Sequence, residues 1–266
     1  MSDLLDHALR TARHAASAAA AIIDGYYKGN YRAEIKPDST PVTQADIEAE
    51  DVIRTILQKE FPDHAIYGEE HGWKRQDSEF LWLVDPLDGT KSFVRRNPVF
   101  STQIALMHRG ELVLGVSSAS QFGQTAWARR GKGAFLARGN GEGEALCVAA
   151  TAQLSDAAIS TGNIKSLARG PRWNAFGELL THANRARGYG DFLHYHLLAQ
   201  GSLDVVIESD VNILDIAALA VIVREAGGIF TDLSGVELSL ATTSGLATAP
   251  ALHGAVKAQL EGWNHA

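Results

Sequence analysis

Cysteine is nearly absent: Cys147 stands alone in 266 residues. One thiol cannot close an internal disulfide, and a zinc site built on several cysteines is excluded. A reducing compartment follows from this. Positive charge is also scarce, with 24 lysines and arginines against 31 acids and a net charge of -7. That balance suits neither DNA nor anionic lipid, so no nucleic-acid or membrane partner is expected. No apolar run reaches the roughly 18 residues that span a bilayer. The stretch 15–23 is apolar enough for a signal peptide, but Asp3 and Asp6 stand where such a peptide carries positive charge. Leu5, Leu9, Ala12, Ala16, Ala19, Ile23 and Tyr26 recur at helical spacing instead. The reading is an amphipathic first helix ending near 25–29 and a cytoplasmic protein. Internal repeats, low-complexity tracts and flexible linkers are missing as well.

What is present is the mix of a globular protein, 45% hydrophobic and 21% charged. At about 150 residues per domain the length suggests two units. Residues 36–41 form a polar, proline-bearing loop. A second helix follows Thr43, with Ile47, Val52, Ile53, Ile56 and Leu57 on one face, and Phe61-Pro62-Asp63 stops it. A short strand at 65–67 runs into Gly68-Glu69-Glu70. The continuous apolar run 80–84 reads as a central buried strand that ends at Asp85. Antiparallel strands are expected at 101–107, 111–118 and 124–129. The glycine-rich stretch 131–144 marks a junction, dividing the chain into 1–143 and 144–266. Beyond it, strands at 157–160, 185–189, 203–207 and 229–231 alternate with helices at 191–199, 213–226 and 251–260. Gly227-Gly228 closes the strongly apolar helix among these.

The chemistry concentrates in Asp85-Pro86-Leu87-Asp88-Gly89-Thr90. A strand delivers Asp85 at its carboxyl end, Pro86 forces a turn, and Asp88 follows close enough to converge on the same point. Gly89 and Thr90 then offer backbone N–H groups suited to a phosphate. Acids beside an anion site make sense only with cations between them, and hard oxygen ligands point to magnesium. Taken locally, Asp46 reads as the N-cap of the second helix and Asp215 as the N-cap of the apolar one.

The whole pattern resembles the inositol monophosphatase family of magnesium-dependent, lithium-sensitive phosphatases. Three separated motifs carry the resemblance: Gly68-Glu69-Glu70; residues 85–93; and Leu214-Asp215-Ile216-Ala217-Ala218 with Glu225-Ala226-Gly227-Gly228. It covers nearly the whole chain and implies an α+β fold, the layered α-β-α-β-α sandwich of the inositol monophosphatase and sugar phosphatase type. It further implies that Glu69, Asp85, Asp88, Asp215 and the Leu87 carbonyl bind two or three magnesium ions. Asp46 and Thr90 would orient and deprotonate the attacking water, with Glu69 counted beside them in catalysis. Glu70 is read as a neighbour rather than a ligand, and Cys147 as inert in a strand-like stretch. A homodimer acting on a small phosphomonoester is also implied. The family more often has tryptophan at Leu214 and asparagine at Ser92; neither change touches a ligand.

Specificity is read from Arg187-Gly188-Tyr189-Gly190-Asp191-Phe192-Leu193, which, through Tyr195 and on to 201–205, resembles the histidinol-phosphate phosphatases of this family. An aspartate where relatives acting on neutral polyols keep small or hydroxyl residues suggests a cationic substrate. Asp191 and Glu208 would pair with its ammonium and imidazole groups. Asp191 alone also reads as a helix N-cap. Arg187 and Asn163 are further candidates for substrate contact, while His194 and His196 read as structural or surface residues. An inositol or sugar phosphatase, a nucleotide 3′-phosphatase and a non-catalytic binding protein stand as alternatives.

Overall fold

The computed structural model describes residues 2–29, 33–35, 41–74, 77–139 and 141–260. Of the expected loop at 36–41, residues 36–40 lie outside the described residues. The chain runs through α1 (Ser2–Lys28), β1 (Ala33–Ile35), β2 (Pro41–Thr43), α2 (Gln44–Glu60), β3 (Ala65–Gly68), β4 (Gly72–Lys74), β5 (Phe80–Asp88) and α3 (Thr90–Val94). The strands β6 (Ser101–His108), β7 (Glu111–Ala119), β8 (Gln124–Arg129), β9 (Ala134–Arg138) and β10 (Glu144–Ala145) follow. Next come β11 (Ala158–Thr161), α4 (Ile164–Arg169), α5 (Trp173–His182), β12 (Arg185–Arg187) and α6 (Asp191–Ala199). The chain closes with β13 (Val205–Ser209), α7 (Ile213–Glu225), β14 (Ile229–Thr231), β15 (Ser244–Thr248) and α8 (His253–Leu260).

Two sheets carry the architecture. One has eight strands in the order β10-β9-β8-β7-β6-β5-β3-β4, the other five in the order β12-β11-β13-β15-β14. Alternation along the strands sends side chains to opposite layers. In β6, Ile104 and Leu106 face the core shared with α1 and α2, whereas Ala105 and Met107 face α6 and α7. In β13, Val206 joins that middle core, while Val205 and Ile207 pack toward α4, α5 and α8. The result is the α-β-α-β-α sandwich. Helix α7 lies between both sheets, which is why it is apolar all round, from Ile213 to Val223. Helix α1 meets its sheet with the small residues Ala8, Ala12, Ala15, Ala16 and Ala19, all fully buried. Among the described residues, no helix is long and apolar enough to cross a membrane.

Several expectations change in detail. The strand expected at 80–84 continues to Asp88, because pairing with β6 resumes beyond an irregularity between Asp85 and Asp88. The glycine-rich stretch 131–144 contains β9, paired to β8. The strand expected at 185–189 ends at Arg187, and the last helix begins at His253 after a single 3₁₀ turn, Pro250–Leu252. Cys147 lies past the end of β10 and is exposed. Helices α4 and α5, and strand β15, were not expected, although Trp173, Phe176, Leu179 and Leu180 recur at helical spacing in α5.

Candidate active site

Residues three apart in a strand point to opposite faces, yet Asp85 and Asp88 share one. Asp85 pairs with Gln103, and Asp88 with Ser101, only two positions away on β6. The extra residue on β5 is a β-bulge, which re-aims side chains in this way. Pro86 is tolerated there because a bulge needs no ladder N–H from it, and its carbonyl accepts the Thr102 hydroxyl at 2.9 Å. Asp85 Oδ1 accepts the Leu87 N–H at 3.0 Å. Ser101 donates to Asp88 Oδ2 at 3.3 Å and accepts from Gln103 Nε2 at 2.8 Å. Gly89 then turns the chain with φ +92, and a Cβ on it would lie 2.9 Å from the Val99 carbonyl oxygen. Only glycine fits both demands.

Two helix starts deliver further carboxylates. Neither aspartate is an N-cap as expected; Thr43 and Asn212 are, and Asp46 and Asp215 occupy the third helical position of a capping box. Asp46 Oδ2 accepts the Thr43 N–H at 2.8 Å, leaving Oδ1 3.0 Å from the Thr90 hydroxyl. That hydroxyl also lies 3.0 Å from the Leu87 carbonyl oxygen. Its single proton serves one acceptor at a time. Asp215 accepts the Asn212 N–H at 2.8 Å and its side-chain amide at 2.7 Å.

Carboxylate oxygens of Asp85, Asp88 and Asp215 lie within 4.8 Å of one another. Burial pushes Asp85 and Asp88 well above the usual carboxylate range, and nearby charge pushes further: Glu69, Asp88 and Asp215 on Asp85; Asp191, Asp215 and Glu208 on Asp88. Burial, then Glu69 and Glu208, raise Asp215 to about 7 against the Asn212 hydrogen bond. Asp46 is raised by burial, against hydrogen bonds from Thr43 and Thr90. Glu69 thus acts on Asp85, Asp215 and Asp46 alike, although it stands outside the tight trio. Clustered buried carboxylates of this kind are relieved by a cation. The donors are all hard oxygens, with no thiolate or imidazole among them, which fits magnesium.

A cavity of about 340 Å³ opens beside the trio. Asp88 and Asp215 form one side, and Asn163, Asp191, Glu208 and Asp210 contribute the rest of its polar wall, with Lys91 the one cationic residue among the described residues lining it. Asp191 opens α6 as its first helical residue at φ +48; the N-cap is Gly190, so the expected capping role is not what the residue does. Aspartate tolerates this left-handed conformation better than most residues. Burial and then Glu208 raise Asp191 to about 6, against His194 and Lys91. Glu208 Oε2 accepts the Tyr195 hydroxyl at 2.7 Å and lies 3.2 Å from His194 Nε2. His194 Nδ1 in turn lies 3.2 Å from Ser160 Oγ. His194 and His196 are both fully buried, the structural option of the two expected. Asn163 donates to Asp210 at 2.9 Å. Arg187 is exposed, bonds the Ala186 carbonyl, and is not among the residues lining the cavity.

The family model for the inositol monophosphatase family matches residues 4–263. The chain belongs to the inositol monophosphatase family. Among its relatives, a histidinol-phosphatase of Mycobacterium tuberculosis is 41% identical over 77% of this chain and 79% of that protein. A histidinol-phosphatase of Streptomyces coelicolor is 40% identical over 88% of this chain and 90% of that one. The solved structure of an inositol monophosphatase from Anabaena superposes with a TM-score of 0.82 at 29% identity, covering 96% of each chain.

Sequence reasoning missed three residues of this inositol monophosphatase family site. Lys91 sits inside the central motif and faces the cavity from the first turn of α3. Asp210 reaches the cavity through a left-handed turn at φ +68, which nothing local announces. Tyr195 was seen only as part of a motif; its hydroxyl orients Glu208. A buried acid, Glu50, behind the Glu69 turn was missed as well.

Proposed function

We propose that this phosphatase hydrolyses histidinol phosphate to histidinol and phosphate. The observation that carries the reading is the acidity of the cavity wall. Asp191, Glu208 and Asp210 line it beside the carboxylate trio. A neutral polyol leaves the clustered negative charge of the three acids unbalanced, whereas an alcohol bearing an ammonium and an imidazole offsets it. The names of the two bacterial relatives above agree. Asp191 and Glu208 pair with the two cationic groups, and Asn163 contributes a polar contact. Arg187, exposed as it stands, is kept as a more distant candidate. Residues 1–143 supply most of the metal-binding groups, and 144–266 supply the specificity wall with Asp215.

Glu69, Asp85, Asp88, Asp215 and the Leu87 carbonyl would hold two or three magnesium ions. Bound there, the ions supply positive charge for the phosphate oxygens and make water beside them more acidic. The chain's own groups do the rest. Backbone N–H groups of Gly89 and Thr90 orient the phosphate. Thr90 Oγ1 takes the proton of the attacking water as its own proton passes to Asp46 Oδ1, 3.0 Å away. Burial of Asp46 makes it a stronger base than an ordinary aspartate. Attack in line at phosphorus breaks the bond to the histidinol oxygen, which leaves as the alkoxide and takes a proton from solvent to give histidinol, and no covalent phosphoenzyme forms. The same reading makes the working protein a lithium-sensitive cytoplasmic homodimer, on the resemblance to the family and the near absence of cysteine.

The test is phosphate release from histidinol phosphate, inositol 1-phosphate, fructose 1,6-bisphosphate and adenosine 3′,5′-bisphosphate, with and without magnesium. Histidinol phosphate should lead in kcat/KM. A lead for inositol 1-phosphate would favour the second reading, which the close superposition on the Anabaena enzyme supports. Full turnover in excess chelator would exclude the metal mechanism.

A further inference from the structure

We propose that Glu50 is a positioning residue for Glu69, and that it sets the affinity of the carboxylate cluster for divalent cations. The inference rests on the reading of Glu69 as a metal ligand. Glu50 lies one helical turn after Asp46 on α2, so the helix that presents Asp46 to Thr90 also presents Glu50 to the turn after β3. Its side chain is completely buried. A buried carboxylate persists only where it is paired and hydrogen-bonded, and Glu50 is both. Arg54 Nε donates to Oε1 at 2.6 Å. The backbone N–H of Glu70 donates to Oε2 at 2.7 Å, and that of His71 to Oε1 at 3.2 Å. Arg54 reaches on to the carbonyl of Gly72 with its other nitrogen.

Glu69 is thereby held from both sides. Its own N–H donates to the Val84 carbonyl at 3.2 Å, on the strand that carries Asp85. The next N–H along the chain is fixed by Glu50. The glycine of Gly68-Glu69 has the same origin: a Cβ at position 68 would lie 2.2 Å from Glu50 Oε1. The motif is thus shaped by a carboxylate 18 residues upstream. Loss of that carboxylate frees the turn, so Glu69 must be reordered each time a cation binds, and the cost falls on metal affinity. Once the cation is bound, the reacting groups are in place and turnover is preserved.

The experiment is direct titration of the full-length protein with magnesium and with manganese by calorimetry, beside kcat at saturating magnesium and thermal unfolding in chelator. Glu50→Gln turns one acceptor oxygen into a donor that faces other donors. It should weaken metal binding by about 10–100-fold, the range found for groups that orient metal ligands, with kcat at saturation retained. Gly68→Ala pushes on the same carboxylate without removing its charge and should do likewise; it decides the matter if Glu50→Gln does not fold. Lowered thermal stability in chelator with wild-type metal affinity in these variants would overturn the proposal and leave Glu50 a structural brace. Glu69→Gln separates the two levels of the argument. If it binds metal as wild type does, the ligand reading of Glu69 fails and the proposal with it. If it loses affinity while the Glu50 variant keeps it, only the positioning role fails.

Discussion

Asp46 and Asp215, on different helices, hold the same local position: each is the third helical residue of a capping box, and each accepts its N-cap backbone N–H at 2.8 Å. The site thus takes carboxylates from two helix starts, where the N-cap residue holds one oxygen of Asp46 and both of Asp215 and the macrodipole favours negative charge. The N-cap side chains differ. Thr43 donates its hydroxyl to Asp46 at 2.5 Å, and Asn212 donates its amide to Asp215 at 2.7 Å.

That difference can be exchanged. Asn212→Ala removes the cap of Leu214 N–H and the clamp on Asp215 together. It should cost about 0.5–2 kcal/mol of stability and raise the magnesium needed for half-saturation. Asn212→Thr copies the Thr43–Asp46 pair and should restore both. Thermal unfolding in chelator and a magnesium titration read the two effects separately. Recovery of the melting temperature without recovery of magnesium binding would show that the two boxes are not equivalent clamps.

Thr90→Ala leaves every carboxylate in place but removes the hydroxyl between Asp46 and the Leu87 carbonyl. It should lower kcat by about 10²–10⁴ and leave magnesium affinity near wild type, while Thr90→Ser should retain most of the activity. A change confined to KM would count against the proton relay.

Magnesium should stabilise the protein more at high pH than at low pH. A carboxyl with a raised folded pKa stabilises the fold while it stays protonated and loses that contribution as pH rises through the folded value. Asp191 reaches about 6 and Asp215 about 7, so the metal-free fold weakens between the ordinary carboxylate range and just above neutrality. Half-buried His64, near 4, and fully buried His196, near 3, act in the opposite sense below the usual histidine range. They contribute alike with and without metal, so the difference in melting temperature cancels them. That difference should grow from pH 5.5 to 8, in steps of roughly one pH unit. A flat difference would mean that protons and cations do not compete for these carboxylates.

Local chemistry made the carboxylates legible, but long-range pairing decided how they meet. Asp85 and Asp88 are announced by the Asp-Pro-Leu-Asp-Gly-Thr string, but their shared face depends on where β6 resumes pairing. Thr43 with Asp46, and Asn212 with Asp215, already show the three-residue spacing of a capping box, so the N-cap reading overlooked a signal that was present. Glu50 carries no such signal, because the N–H groups that explain its burial lie 20 and 21 residues later. Strands β6 to β8, set off by the turns at 109–110 and 121–123, and the apolar α7, closed by Gly227-Gly228, follow from local signals. Helix α4 is too short for a pattern, at six residues before Gly170, and in α5 Gly177 breaks into a helical spacing that Trp173, Phe176, Leu179 and Leu180 do carry.

Specificity turns on Asp191, and its backbone dictates the right variant. Alanine at φ +48 would add strain, so a loss with Asp191→Ala mixes conformation with charge. Asp191→Asn keeps the shape, tolerates the left-handed conformation and removes only the charge. The N-cap is Gly190 and has no side-chain cap hydrogen bond, so no helix cap is lost with it. If Asp191 pairs with a cationic group of histidinol phosphate, that charge-assisted hydrogen bond is worth about 1.5–3 kcal/mol. The ratio of kcat/KM for histidinol phosphate to that for a neutral phosphomonoester should then fall roughly 10–150-fold. Removing the charge also eases the repulsion on Asp88, which Asp191 pushes upward. Any gain in metal affinity from this acts on both substrates and cancels in the ratio. Burial and Glu208 raise Asp191 to about 6, so the ratio is compared well above that value, where Asp191 and its neighbours are ionised. An unchanged ratio in Asp191→Asn would remove Asp191 from substrate recognition and shift the balance toward a neutral polyol phosphate.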